Sequence, residues 1–170
     1  TVRRTLSYAE LYREITKVAT ALRRVGVAAG DRVVGFMPNM PESVIAMLGA
    51  TAIGAVWSSC SPDFGIKGVL DRFGQTRPKV LFTADGYSFK GKPIDSLERI
   101  GGIISQLPSL EQIVVVPYLR DNPHLGALGE RAWHWRDFTA DTAENPAAIE
   151  FVQLPFGHPV YIMYSSGTTG

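Results

Sequence analysis

In the first periodic stretch, "SYAELYREITKVATALRRVG", the residues Leu11, Ile15, Val18, Leu22 and Val25 fall on one stripe at helical spacing, with Arg13, Lys17, Arg23 and Arg24 opposite. Ser7 ahead of the stripe and Glu10 three positions on make a capping box, and Gly26 is a stop. The spacing predicts an amphipathic helix. "GDRVVGFM" then reads as a short strand, and "PNMPESVIAMLGATAIG" as a helix with Pro41 at its start and Gly54 near its end. The alternation continues with "AVWSS" as strand, "IKGVLDRFGQT" as helix, "KVLFT" as strand, "DSLERIGGIISQL" as helix and "EQIVVV" as strand.

Strands built from unbroken Val, Ile, Leu and Phe are buried on both faces, and the helices between them make right-handed crossovers. The pattern predicts an α/β fold, a parallel sheet with helices on both faces, over about residues 5–117. From about 118 to 155 the periodicity weakens into Pro, Asn, Asp and Gly with one aromatic cluster, "WHWRDF", so an irregular excursion on the surface is expected. "HPVYIMY" supplies another apolar strand, and a strand followed by a loop is expected over 159–170. No internal repeat or low-complexity tract interrupts this order.

A chain of 170 residues that is 45% hydrophobic can bury a sizeable core, as one domain or as one lobe of a larger one. Seventeen basic and sixteen acidic residues leave a net charge of +1, so no long-range field favours nucleic acid or an anionic membrane surface. Cys60 is the sole cysteine and His124, His134 and His158 are scattered, so neither a disulfide framework nor a metal-ligand spacing can be written. A reducing compartment, the cytoplasm, fits that usage. The longest apolar run, from Val44 to Trp57, is broken by Gly49 and Gly54 and falls short of the roughly 20 residues a bilayer requires. No membrane span and no signal peptide are expected.

Candidate chemistry gathers in "YSSGTTG", residues 164–170. Ser165, Ser166, Gly167, Thr168, Thr169 and Gly170 offer four hydroxyls and a row of backbone N–H groups, and the glycines allow positive φ and close approach to a ligand. Successive N–H groups curved into a nest bind anions without a formal positive charge, which suits a polyphosphate. Neither the Walker spacing nor the dinucleotide fingerprint occurs, so an ordinary Ser/Thr/Gly turn stays open as a reading of these residues alone. Ligands gather beyond the carboxyl ends of parallel strands, and this run stands just after such an end.

"YSSGTTG" resembles the opening of the phosphate loop of the adenylate-forming superfamily, the acyl-CoA synthetases, adenylation domains and luciferases, where a Pro-Lys pair follows. The stretch from Gly30 to Gly65 resembles the same superfamily's N-terminal domain, and "AVWSSCSPDFG" and "LPFGHPVYIMYSSGTTG" resemble its acetoacetate-activating branch, with acetyl- and propionyl-CoA synthetases as neighbours. The resemblance runs from "LSYAEL" to the last glycine. It implies a partial N-terminal lobe of the adenylate-forming enzyme fold, within an ATP-dependent acid-thiol ligase that adenylates a short carboxylate and passes the acyl group to coenzyme A. ATP, Mg²⁺ and coenzyme A are the implied reaction partners, and the rest of the same polypeptide the implied structural one.

By that resemblance the six loop residues contact the ATP phosphates, a hydroxyl of Thr168 or Thr169 lying near the metal. In acetyl-CoA synthetase an arginine at the position of Lys92, in "FKGKPID", meets the phosphates of coenzyme A. A lysine retains the charge without the forked grip. A solvated surface lysine is the other reading of Lys92, and more so of Lys90. The loop around Ser58, Ser59, Ser61, Pro62 and Asp63 aligns with one beside coenzyme A, although glycines stand there where this chain has Pro62 and Asp63; Asp63 is a candidate helix cap. Trp57 reads as a core aromatic, Cys60 as a buried small residue, Arg72 as an ion-pair partner and His158 as a strand-entry residue. None is assigned catalysis. The adenine site, the acidic residues around ribose and Mg²⁺, and the catalytic lysine are expected elsewhere, so these 170 residues alone are expected to be inactive and to expose apolar surface. A stand-alone flavodoxin-like or nucleotide-binding module without transfer chemistry is the alternative from another class.

Overall fold

The computed structural model describes residues 4–140 and 148–165. α1 spans Tyr8–Arg24, β1 Arg32–Phe36, α2 Pro41–Ala52, β2 Val56–Cys60, α3 Ile66–Thr76 and β3 Val80–Ala84. A hairpin of β4 (Gly86–Phe89) and β5 (Lys92–Asp95) precedes α4 (Leu97–Ile104) and β6 (Gln112–Val116). A 3₁₀ turn at Gly126–Leu128, β7 (Ala132–His134), α5 (Trp135–Ala140) and β8 (Tyr161–Ile162) complete the order.

Among the described residues six strands form one parallel sheet in the order β7-β6-β3-β1-β2-β8. Side chains alternate across it as period-2 geometry demands. Val33, Trp57, Phe82 and Val114 enter a core beneath α1 and α2, while Val34, Leu81, Ile113 and Val115 enter a second core beneath α3 and α4. Both faces are therefore covered, which explains the unbroken apolar strands.

α1 begins as the sequence predicts: the Ser7 Oγ accepts from the Glu10 N–H at 3.3 Å, and the Glu10 carboxylate accepts from the Ser7 N–H at 2.7 Å. Those bonds from Ser7 hold the Glu10 carboxyl below its ordinary pKa. α1 crosses α2 at Gly49, where a Cβ would stand 2.7 Å from Val18 Cγ1. The glycine lets the two backbones approach.

Within residues 118–155 the chain is less irregular than its composition suggests. β7 pairs with β6, and α5 drives Phe138, fully buried, edge-on against Phe82 at a ring separation of 5.9 Å. The tertiary wall around Phe138 outweighs a weak local signal in "WHWRDF". Conversely, the last strand is shorter and more open than "HPVYIMY" suggests. Among the described residues only Tyr161 and Ile162 pair, on the outer side of β2, and Val160, Tyr161 and Met163 are exposed because β8 is the sheet's edge there.

Candidate functional site

The β1–α2 connection runs on one face of the sheet and the β2–α3 and β3–α4 connections run on the other, so the chain parts at the carboxyl ends of β1, β2 and β3. Ligand crevices of α/β sheets lie at such points. A cleft of about 540 Å³ opens there, lined by Gly35 of β1 with Met37, Asn39 and Ser43 beyond it, by Ser59 and Cys60 of β2 with residues 61–63 beyond it, and by Tyr87, Ser88 and Phe89 of β4. That volume suits a small-molecule site.

Ser58 is buried within β2 and Ser59 belongs to the same strand, so only Ser61, Pro62 and Asp63 form the loop itself. The Pro62 carbonyl accepts from Arg99 Nη1 at 2.9 Å, which ties the loop to α4. Asp63 is not a helix cap: Gly65 occupies the N-cap of α3, with no side-chain cap bond. An extended Gly65 leaves Asp63 two residues too early and turned into the cleft.

β8 lies parallel to β2, with Trp57 opposite Tyr161 and Ser58 opposite Ile162. The Ser58 hydroxyl donates to the Ile162 carbonyl at 2.9 Å, and its oxygen lies 3.2 Å from the Tyr164 hydroxyl. The Arg72 guanidinium stands 4.6 Å from the Phe64 ring centre and 5.4 Å from that of Tyr164, and donates to the Gly68 carbonyl at 2.8 Å. Among the described residues Arg72 thus meets π faces and no carboxylate partner of the kind expected of it, because helix α3 aims it at β2 and β8. Burial raises the Tyr164 phenol above its ordinary pKa, against the hydrogen bond from Ser58. Ser165 follows, exposed, at the end of this tethered stem. Ser166, Gly167, Thr168, Thr169 and Gly170 lie outside the described residues.

Lys92 opens β5, exposed, paired across the hairpin with Phe89 of the cleft wall. Lys90 and Gly91 form the two-residue turn with φ +49° and +77°, the paired positive values of a type I′ hairpin. Lys90 Nζ sits 5.5 Å from the Phe89 ring centre. The structure therefore brings Lys92 beside the cleft and the loop stem to the far side of β2. Neither lines the cleft itself.

Trp57 is buried against Phe82, with ring centres 6.4 Å apart, a core aromatic as its sequence context indicates. Cys60 is buried, and burial pushes its thiol up to about 11 despite the nearby Arg72. His158 donates through Nε2 to the Gly54 carbonyl at 2.9 Å, which fixes the entry to β8. Sequence reasoning missed the hairpin and Tyr164. The Lys90-Gly91 pair was the available signal for the first; nothing local marks the second. Among the described residues no group of three or more His, Cys, Asp or Glu side chains could hold a metal, and no helix is long and apolar enough to cross a membrane.

A parallel sheet with helices on both faces and a cleft at its carboxyl edge defines an α/β domain of the kind that takes ligands at that edge. The family model described as "AMP-binding enzyme" matches residues 1–170, and the chain belongs to that family. It is 45% identical over 168 residues to an acetoacetyl-CoA synthetase of Gallus gallus, covering 97% of this chain and 25% of that protein. It is 45% identical over 165 residues to an acetoacetyl-coenzyme A synthetase of Rhizobium meliloti (strain 1021), with the same coverage. The solved acetoacetyl-CoA synthetase from Streptomyces lividans superposes with a TM-score of 0.88 at 41% identity, over 98% of this chain and 24% of that one. The chain spans about a quarter of the length of these relatives.

Proposed function

We propose that the chain is the N-terminal lobe of an ATP-dependent acid-thiol ligase that activates acetoacetate. In the first half-reaction a carboxylate oxygen attacks the α-phosphorus of ATP and pyrophosphate leaves. In the second the thiol of coenzyme A, losing its proton, attacks the acyl carbon and AMP leaves. Charge builds on the departing pyrophosphate, and preorganised N–H and hydroxyl donors directed at it lower the barrier.

The observation that carries this reading is the β2–β8 pairing with Ser58 bonded to Ile162 and close to Tyr164, which sets the stem of the hydroxyl-glycine run at the carboxyl edge. On this reading Ser165, Ser166, Gly167, Thr168, Thr169 and Gly170 hold the ATP phosphates, with Mg²⁺ arriving on the nucleotide near a threonine hydroxyl. Lys92 presents a point charge to a phosphate of coenzyme A, supported by its exposure beside the cleft. A buried free Cys60 accords with a reducing cytoplasm.

The test is acid-dependent ATP–pyrophosphate exchange by the full-length protein over acetoacetate, acetate and propionate. Acetoacetate is expected to support the highest kcat/KM. A preference for acetate or propionate would reassign the substrate, and no exchange with any acid would favour a nucleotide-binding module.

A further inference from the structure

Asp85 is fully buried directly after β3, where an unpaired carboxylate would carry a heavy desolvation cost. Its Oδ1 accepts from the N–H groups of Tyr118 at 2.6 Å and Leu119 at 2.9 Å, and its Oδ2 from the Arg120 N–H at 3.0 Å. The turn after β6 is thus wrapped on a carboxylate from another strand. Arg120 Nη1 reaches the same Oδ2 at 3.5 Å, while its Nη2 donates to Asp95 Oδ2. Asp95 stands at the base of the β4–β5 hairpin, opposite Gly86, and its Oδ1 accepts from the Leu97 N–H at 2.9 Å. Burial acts to raise the Asp95 carboxyl, but Leu97 and Arg120 outweigh it and hold the group below its ordinary pKa.

An isolated two-stranded hairpin is marginal in water, and here only its base is tied down: Tyr87 is buried, whereas Ser88, Phe89, Lys90, Gly91 and Lys92 are exposed. The direction of the tip therefore depends on how the base is held. From Asp95 to Lys92 the strand advances about 10 Å, and the tight turn between β4 and β5 leaves little slack over that lever.

We propose that Asp85, Arg120 and Asp95 are positioning residues that orient the hairpin so that Lys92 meets a phosphate of coenzyme A. The inference rests on that reading of Lys92. Asp85 fixes the backbone and charge of Arg120, and Arg120 fixes Asp95. None of the three lines the cleft, so their loss should affect only the half-reaction that uses coenzyme A.

The full-length protein is compared with K92M, D95N, R120M, R120K and the double variant K92M/R120M. KM for coenzyme A is measured beside acid-dependent ATP–pyrophosphate exchange, which requires no coenzyme A. D95N and R120M should raise KM for coenzyme A about fivefold, the worth of one surface charge contact, with exchange unchanged. R120K should recover most of the loss, and R120M should add nothing in the K92M background. D95N keeps every bond to Asp85, so it reports even where R120M folds poorly. If K92M raises KM and D95N does not, the relay is wrong and Lys92 stands. If K92M leaves KM unchanged, the reading of Lys92 fails and takes this inference with it. Exchange falling together with thioester formation in D95N would mark a merely structural role and overturn the proposal.

Discussion

At the scale of single residues, environment decides what a reactive group does. Cys60 carries a nucleophilic sulfur at the lip of the cleft, yet burial holds its thiol near 11 where the ordinary value is 9.0. At pH 8 the folded protein should therefore react with iodoacetamide far more slowly than the unfolded chain, and the difference should shrink only as the pH approaches 11. The same shift carries a stability consequence. Between pH 9 and 11 the unfolded thiol ionises while the folded one cannot, so the unfolded state binds fewer protons and stability falls as the pH rises through that window. A Cys60→Ser variant should lose that alkaline slope in urea titrations, whatever its stability at pH 7. An unchanged slope would place its origin elsewhere.

Among elements, packing distance is the controlling quantity. α1 and α2 form one layer over β1 and β2, and Gly49 sets how closely they lie. A Cβ at Gly49 would meet Val18 Cγ1 at 2.7 Å and Cβ at 2.9 Å, and Val18 is fully buried with no room to turn. Alanine is the better helix former, but the overpacking it causes outweighs that gain. Gly49→Ala should cost about 1–3 kcal/mol by chemical denaturation. Combining it with Val18→Ala should recover part of that loss, since the two changes share one contact. Additive losses would contradict the close approach. The hairpin obeys a different logic: β4 buries Gly86 and Tyr87 at its base while β5 is largely exposed, and the Arg120–Asp95 pair ties that base.

For the whole molecule, the surface is uneven. Phe151, Val152, Leu154, Phe156, Val160, Tyr161 and Met163 are exposed along the segment that leads into β8 and along β8 itself. That run adjoins a strand edge left unpaired among the described residues, and a net charge of +1 supplies little repulsion between copies. The 170-residue chain in isolation should therefore self-associate at micromolar concentration and bind a hydrophobic dye. Phe156→Ser with Met163→Ser should raise the monomer fraction in sedimentation while leaving the helical signal intact. A monodisperse wild-type chain would show that this apolar run is covered in some other way.

The periodic elements were legible in the chain itself. The α1 stripe, its capping box, the apolar strands β1, β3 and β6 and the helix "IKGVLDRFGQT" each follow from short-range spacing and local backbone bonds, and the parallel two-faced sheet follows from their alternation. Family resemblance offered the loop run 165–170 and Lys92 as candidates, and the place of the run after a strand end agreed with it. What local pattern could not express was every relation between distant positions: α5 seated by Phe82, Asp85 closed by N–H groups from 118–120, and Tyr164 placed beside Ser58 and Arg72. Helical and strand periods are written by neighbours a few residues apart, so a sequence displays them directly. The destination of a buried carboxylate or ring depends on which strands become adjacent, and only the folded sheet order decides that.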